Sequence, residues 1–448
     1  MNKDLTVGRP SKVIVGYTVP LFAGVIFQQL YNVADSIIAG KYADGLAAVG
    51  ASFPVTMLFM AVAIGCQIGC SVVIGRNFGS GDRRATKTCI TTSVIAGAVI
   101  SLILTVAGTA LSTLFVRLLN TPAECFDDAA VYLRIYTAGY VFLFLYNVAT
   151  GIFNSLGDGK TPLYLLIGSS LSNIILDAVF VIVFHWGVAG VAWATFIAQG
   201  AACILALFIL YRRTAALYTG KDAALFDIKA LKETAAVSIP GVLQQSFISV
   251  GNMFIQYIVN SYGKDVLDGY IAAIKLNTFA IVCFSTIGNG MSGFAAQNNG
   301  ARKPERIKSG ITASAVFAVS ASALFFIVFR LFSRDFIGLF MNENSTALSI
   351  QTGIDFLAIV SPGYFLISCK MVFDGLLRGC EKMVLFMIST FVDLILKVAL
   401  AFVLSELKGE TGVWYANPVS WIFGCTLSII FAVTVLKKNM SEMQTEQR

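Results

Sequence analysis

Charge is what this sequence has least of. Asp, Glu, Lys and Arg make up 13% of the 448 residues, about half the roughly 25% usual in soluble domains. Hydrophobic residues reach 57%, and the mean hydropathy is +0.78. That shortage excludes a water-soluble core and indicates an all-α polytopic membrane protein. Histidine is almost missing: its one copy, His185, stands beside Trp186 at a predicted segment end and reads as an interfacial residue. There is no histidine pair, no HExxH, no GxSxG and no GxxxxGK[ST], so the usual metallopeptidase, hydrolase and nucleotide-binding signatures are absent. GDGK at 157–160 lies in a tight turn between spans and lacks the strand that a phosphate loop requires. Neither an enzyme nor a cofactor is expected. The nine cysteines are odd in number, lie mostly in apolar runs and include no CxxC. Cys66 and Cys70, one helical turn apart, read as small packing residues. The leading MNKDLTVGRPSK lacks a short apolar region with a small-residue cleavage site, so the first apolar run reads as a retained helix.

Long apolar runs are what the sequence has instead. A span needs about 20 apolar residues. Breaks at charged or turn-forming stretches leave twelve, at roughly 13–40, 46–76, 88–116, 130–156, 162–185, 188–211, 235–262, 270–297, 309–332, 350–377, 383–405 and 412–436. Residues 1–211 form a first six-helix bundle, 212–234 a charged linker, and 235–448 a second bundle with a short tail. The face that holds both termini carries 22 Lys and Arg against 7 on the other, with Lys275, Lys370 and Lys397 inside spans. The positive-inside rule then places both termini in the cytoplasm, in the cell membrane. The net charge of +7 belongs to this topology, and no nucleic-acid partner is expected.

The two halves repeat with a shift near 220: Pro20 falls on Pro240, Asn32 on Asn252, RNFG (76–79) on QNNG (297–300) and GVAWA (190–194) on GVWYA (412–416). Six spans per half give repeats of the same orientation, a transporter signature in which the substrate path lies between the halves.

Ionisable residues inside spans are costly and point to function. Lys370 and Asp374, and Asp393 and Lys397, are i,i+4 pairs that can neutralise each other, and Asp355 lies near a segment start. Asp35 and Asp177 have no basic residue within a turn in their own spans. Their helical neighbours are uncharged and polar: Gln28 and Asn32 on the first span; Ser169 or Ser170 and Asn173 on the fifth. Asn147, Thr150 and Asn154 make a similar stripe on the fourth. Two carboxylates among amide oxygens can hold Na⁺, or share a proton, because burial and mutual repulsion raise carboxylate pKa values. Beyond that Na⁺ no metal site is expected. Met57, Met60, Met253, Met291 and Met371 could supply adaptable apolar surface, or simply pack.

NVADSIIAG in the first span, LAAVGAS, GCSVVIGRNFGSGD, SLGDGKTP and NIILD together resemble the multidrug and toxic compound extrusion (MATE) family over nearly the whole chain. The resemblance implies two six-helix bundles facing each other in a V. It further implies a secondary antiporter, expected to be monomeric, that exports organic cations, drugs or metabolites in exchange for Na⁺ or H⁺. Carried over residue by residue, it assigns the first bundle's ion site to Asp35, Asn173, Asp177 and Thr195. In the second bundle the family's carboxylate on the seventh helix is missing: Gln244, Gln245, Asn252 and Gln256 stand there, Ile255 lies opposite Asp35 and Lys397 opposite Asp177. The chain therefore resembles the prokaryotic branch that couples through the first bundle, with Asp374 the remaining candidate in the second. Gln28, Asn32, Asn147, Asn154, Gln256 and Asp374 are candidates for the substrate pathway. A flippase of lipid-linked saccharides, from the same wider superfamily, is the alternative that Lys275, Lys370 and Lys397 favour.

Overall fold

A computed structural model describes residues 4–42, 46–119, 121, 123–220, 222–341 and 346–446, with the side chains of 33–42, 46–49, 124 and 443–446 outside the description. Its helices are α1 (Pro10–Tyr42), α2 (Leu46–Gly79), α3 (Arg83–Leu118), α4 (Ala123–Ala138), α5 (Tyr140–Ser155), α6 (Lys160–Asp177), α7 (Gly187–Leu217), α8 (Ile228–Asn260), α9 (Lys264–Gly300), α10 (Pro304–Gly338), α11 (Ala347–Val360), α12 (Tyr364–Gly379), α13 (Met383–Lys408) and α14 (Glu410–Glu446). No strand occurs among the described residues. Backbone groups in hydrocarbon must be satisfied within the segment, and helices do this.

All twelve predicted spans are helical, three of them interrupted. The fourth is α4 and α5, bent by 45° at Gly139. A Cβ at Gly139 would lie 2.9 Å from Phe196 Cδ2, so the break also admits a ring of α7. The fifth is α6 continued by a π-helical turn, Ala178–Val183, and the tenth is α11 and α12 joined by a 3₁₀ turn, Ser361–Gly363. Among the described residues ten stretches are long and apolar enough to cross a membrane, and the α4–α5 pair makes an eleventh. The twelfth, α8, has 33 residues but carries the polar Gln244, Gln245, Asn252 and Gln256. α7 runs to Leu217 and α8 starts at Ile228, so the connection between them is shorter than the charged stretch 212–234.

Two compact units emerge, and they exchange segments relative to the chain halves. The first holds Ala23–Ser246 with Met1–Asp4; the second holds Leu5–Phe22 and Phe247–Arg448. The RNFG and QNNG repeats hold these exchanged segments. In the second unit Gln297 Oε1 accepts the Leu5 N–H at 2.8 Å, and Arg306 donates to the Leu5 and Gly8 carbonyls at 3.1 and 2.6 Å. In the first unit Arg76 pairs with Glu233 at the start of α8, and Thr92 Oγ1 accepts the Asp227 N–H at 3.0 Å. Pro20 and Pro240 sit inside α1 and α8 near each exchange point, where each removes a backbone donor.

Within the units, small residues let helices touch backbone to backbone. A Cβ at Gly375 of α12 would run into the Gly288 carbonyl of α9, and one at Gly151 of α5 into the Gln67 carbonyl of α2. Gly375→Val should therefore force α9 and α12 apart and cost about 1–3 kcal/mol. Thermal unfolding in detergent checks this; an unchanged midpoint would contradict the contact.

Candidate functional site

Four side chains of the first unit converge on the end of α6. Asn173 and Asp177 are one turn apart and therefore share a face; both are buried, Asp177 completely. Asn173 points its amide nitrogen at the carboxylate: it donates to Asp177 Oδ2 at 3.0 Å and to Tyr31 Oη at 2.5 Å, and its oxygen accepts the Thr195 N–H at 3.1 Å. The reverse orientation, with Tyr31 donating to Asn173 Oδ1 and Nδ2 3.4 Å from Thr195 Oγ1, would set the amide oxygen against the carboxylate. Thr195 Oγ1 also bonds the Val191 carbonyl at 3.1 Å, as a hydroxyl in a helix does when its face is buried.

Asp177 is the last residue of α6 before the π-helical turn. Phe184 N–H closes the wide ring onto Val179 O at 2.9 Å. Such turns displace the backbone from regular helical register and recur at functional sites. Phe180 stacks on Trp186 at 4.9 Å, and His185, just beyond the turn, is exposed with φ 55°.

Of the predicted site residues, Asn173, Asp177 and Thr195 are brought together. Tyr31 joins them and was not anticipated; it lies four residues before Asp35, on the same face of α1. The side chain of Asp35 lies outside the described residues. Gln28 and Asn32 are exposed, and Asn32 bonds Gln29 Oε1 at 3.3 Å. Asn147 donates back to the Leu143 carbonyl at 2.8 Å, and Asn154 is half-buried on α5.

Gln256 and Asp374 belong to the second unit. Asp374 is buried; Lys370 Nζ lies 2.7 Å from its Oδ2, and Ser428 and Ser389 donate to its Oδ1 at 2.6 and 3.3 Å. Lys370 Nζ also lies 3.8 Å from Asp393 Oδ2, whereas Lys397 reaches across to Asn252 Oδ1 at 3.2 Å. Asp393 and Lys397, one turn apart on α13, thus look past each other. Gly424 of α14 is the reason: a Cβ there would lie 2.8 Å from Lys370 Cε and 2.9 Å from Asp393 Cβ, so the bare backbone leaves room for those two to meet.

A second network closes the turn between α5 and α6. Asp158 accepts the Lys160 and Thr161 N–H groups at 3.1 Å and the Thr161 hydroxyl at 2.6 Å, and pairs with Arg213. Burial opposes ionisation, but the bonds from Thr161 and Arg213 outweigh it and hold the carboxyl below its ordinary range. A depressed folded pKa stabilises above the unfolded value of about 3.9 and is lost as pH falls below it. Asp158→Asn should lower stability at neutral pH by about 1–3 kcal/mol, the cost of weakening the bonds to a charged acceptor, and the difference from the parent should shrink on acidification below pH ~4. A difference that grows there would contradict the assignment.

Comparison with known proteins agrees with this fold. The chain is 25% identical over 431 residues to the probable multidrug resistance protein YpnP of Bacillus subtilis, covering 96% of each. It is 23% identical to an FAD transporter of Shewanella oneidensis over 91% of each. A solved MOP-superfamily transporter from Pyrococcus furiosus superposes with a TM-score of 0.92, at 22% identity, over 98% of both chains. The MatE family model matches in two blocks, residues 20–179 and 240–403, one in each half of the repeat. By that match the chain belongs to the MatE family, and it is a multi-pass membrane transporter, not an enzyme.

Proposed function

We propose that the chain is a secondary antiporter that exports small organic molecules across the cell membrane in exchange for Na⁺ or H⁺, working as a monomer with both termini in the cytoplasm. The observation that carries this reading is the wholly buried Asp177, held by Asn173 within a membrane span. A buried carboxylate is expensive unless a counter-charge or proton accompanies it. Asp35, Asp177 and Thr195 supply the oxygens that a small hard cation prefers, or a carboxylate that takes up a proton; Asn173 holds Asp177 with its amide nitrogen and joins the ligands of a cation only by turning its oxygen inward. Filling the site neutralises it and changes the relative stability of the states open to each side of the membrane. Export follows as far as ion and substrate bind those states differently. The relatives' names, a multidrug resistance protein and an FAD transporter, cover unlike cargo, so the family leaves the substrate open. The bias of 22 basic residues to 7 supports the orientation.

The test uses proteoliposomes loaded with a fluorescent organic cation. Inward-directed Na⁺ and proton gradients are imposed separately. One of them should drive dye out against its gradient. Dye that only equilibrates under both would indicate a channel and end the antiport reading.

A further inference from the structure

The second unit repeats the geometry of the first with the charge reversed. Asp393 and Lys397, one turn apart on α13, lie 220 residues after Asn173 and Asp177 of α6, and Asn252 lies 220 after Asn32. The helix contact recurs too: α1 meets α6 through Tyr31 and Asn173, and α8 meets α13 where Lys397 Nζ donates to Asn252 Oδ1 at 3.2 Å. An ammonium thus stands at the position that the repeat equates with the buried carboxylate Asp177.

The charges around it are already assigned. Lys370 and Asp374 are nearly fully buried and lie 2.7 Å apart, and Lys370 also faces Asp393 at 3.8 Å. Both carboxylates lean on Lys370. Asp393 stands one turn below Lys397 on the same helix, yet among the described residues Lys397 makes no ion pair, and its hydrogen-bond partner is a neutral amide. Lys397 is half-buried and Asn252 exposed. On α8 the amides continue upward, with Gln256 donating to Asn260 Oδ1 at 2.9 Å. An ammonium beside a stripe of amides in a span is costly against lipid, and such groups mark substrate pathways. Lysine offers three donors. Because Asn252 accepts from Lys397 through its oxygen, its amide nitrogen is left as a donor beside the ammonium.

We propose that Lys397 and Asn252 form a receptor for an anionic group, a carboxylate or phosphate, of the transported molecule, which makes zwitterions and anions substrates alongside cations. This rests on the export reading for its role, but the receptor can be tested by binding alone.

The probes are a rhodamine with a free benzoate, a zwitterion, and its methyl ester, a plain cation. Fluorescence anisotropy on the detergent-solubilised full chain should show the acid bound about tenfold tighter than the ester, the size of one charge-assisted hydrogen bond. Lys397→Met should remove that preference and leave ester affinity within about twofold, which also reports that the variant is folded; Lys397→Arg should keep most of it. Equal binding of acid and ester by the unsubstituted chain, or a preference that survives in Lys397→Met, would overturn the receptor. Competition then separates two sources of the anion. Displacement of the acid by inorganic phosphate supports a soluble substrate, and displacement by short-chain phosphatidic acid but not by phosphate supports a lipid headgroup; both support the receptor. Binding needs no gradient. A protein that prefers the acid yet exports neither dye under either gradient would sink the export reading and leave the receptor standing.

Discussion

Replacing Asp177 with asparagine should reduce gradient-driven export to the level of empty liposomes while substrate still binds. Asparagine has the same shape and can still meet Asn173, so the helix end keeps its packing. What it loses is the charge, and with it the capacity to take up and release an ion or proton inside the membrane. Removing a neighbour instead of the carboxylate should be milder. Tyr31→Phe deletes the hydroxyl 2.5 Å from Asn173 and should slow export roughly tenfold, as expected for one lost hydrogen bond. Initial rates of dye efflux, with binding measured in parallel, separate the two. Normal efflux from Asp177→Asn would remove this carboxylate from the coupling step.

The largest stability effect is expected from Lys370→Met. Lys370 and Asp374 have side chains only 3% and 2% exposed, and Asp393 leans on the same ammonium. Removing it strands the buried carboxylate of Asp374 and takes a counter-charge from the partly exposed Asp393; breaking a buried pair typically costs about 3–5 kcal/mol. The double variant Lys370→Met, Asp374→Asn should recover part of that loss, since one stranded charge has gone. Thermal unfolding of the four proteins completes a double-mutant cycle. Strictly additive losses would mean that the pair does not interact as its 2.7 Å separation implies. Lys370 also explains why Asp374 is a poor place to seek a second coupling ion: a tethered cation already occupies it.

Much of this was legible in the sequence because membrane segments obey few rules. The twelve spans follow from apolar runs between charged breaks, and Asn173 and Asp177 stand out because polar groups in hydrocarbon need a reason, whereas Thr195 was legible only through the family resemblance. The repeat was readable as well, but not what its RNFG and QNNG copies do. QNNG bonds the N–H and carbonyl of Leu5 through Gln297 and Asn298, and RNFG pairs Arg76 with Glu233 of α8; these partners lie far away in the chain, where no local pattern marks them. Tyr31 was missed because an aromatic in an apolar run is ordinary. The bend at Gly139 was missed because one glycine in a span is equally ordinary, and the ring of Phe196 that packs against it lies on another helix. The i,i+4 rule put Asp393 with Lys397 by spacing alone; the space above Gly424 that turns Asp393 toward Lys370 instead is a tertiary fact.

The measurement that reaches the coupling claim most directly records both fluxes in the same vesicles: entry of the driving ion and exit of the dye, for the unsubstituted chain and for Asp177→Asn. Coupled exchange through a buried carboxylate requires that ion entry depend on dye exit, and that the substitution stop both together. Ion entry that persists at the full rate in Asp177→Asn, or that runs without any dye inside, would contradict it.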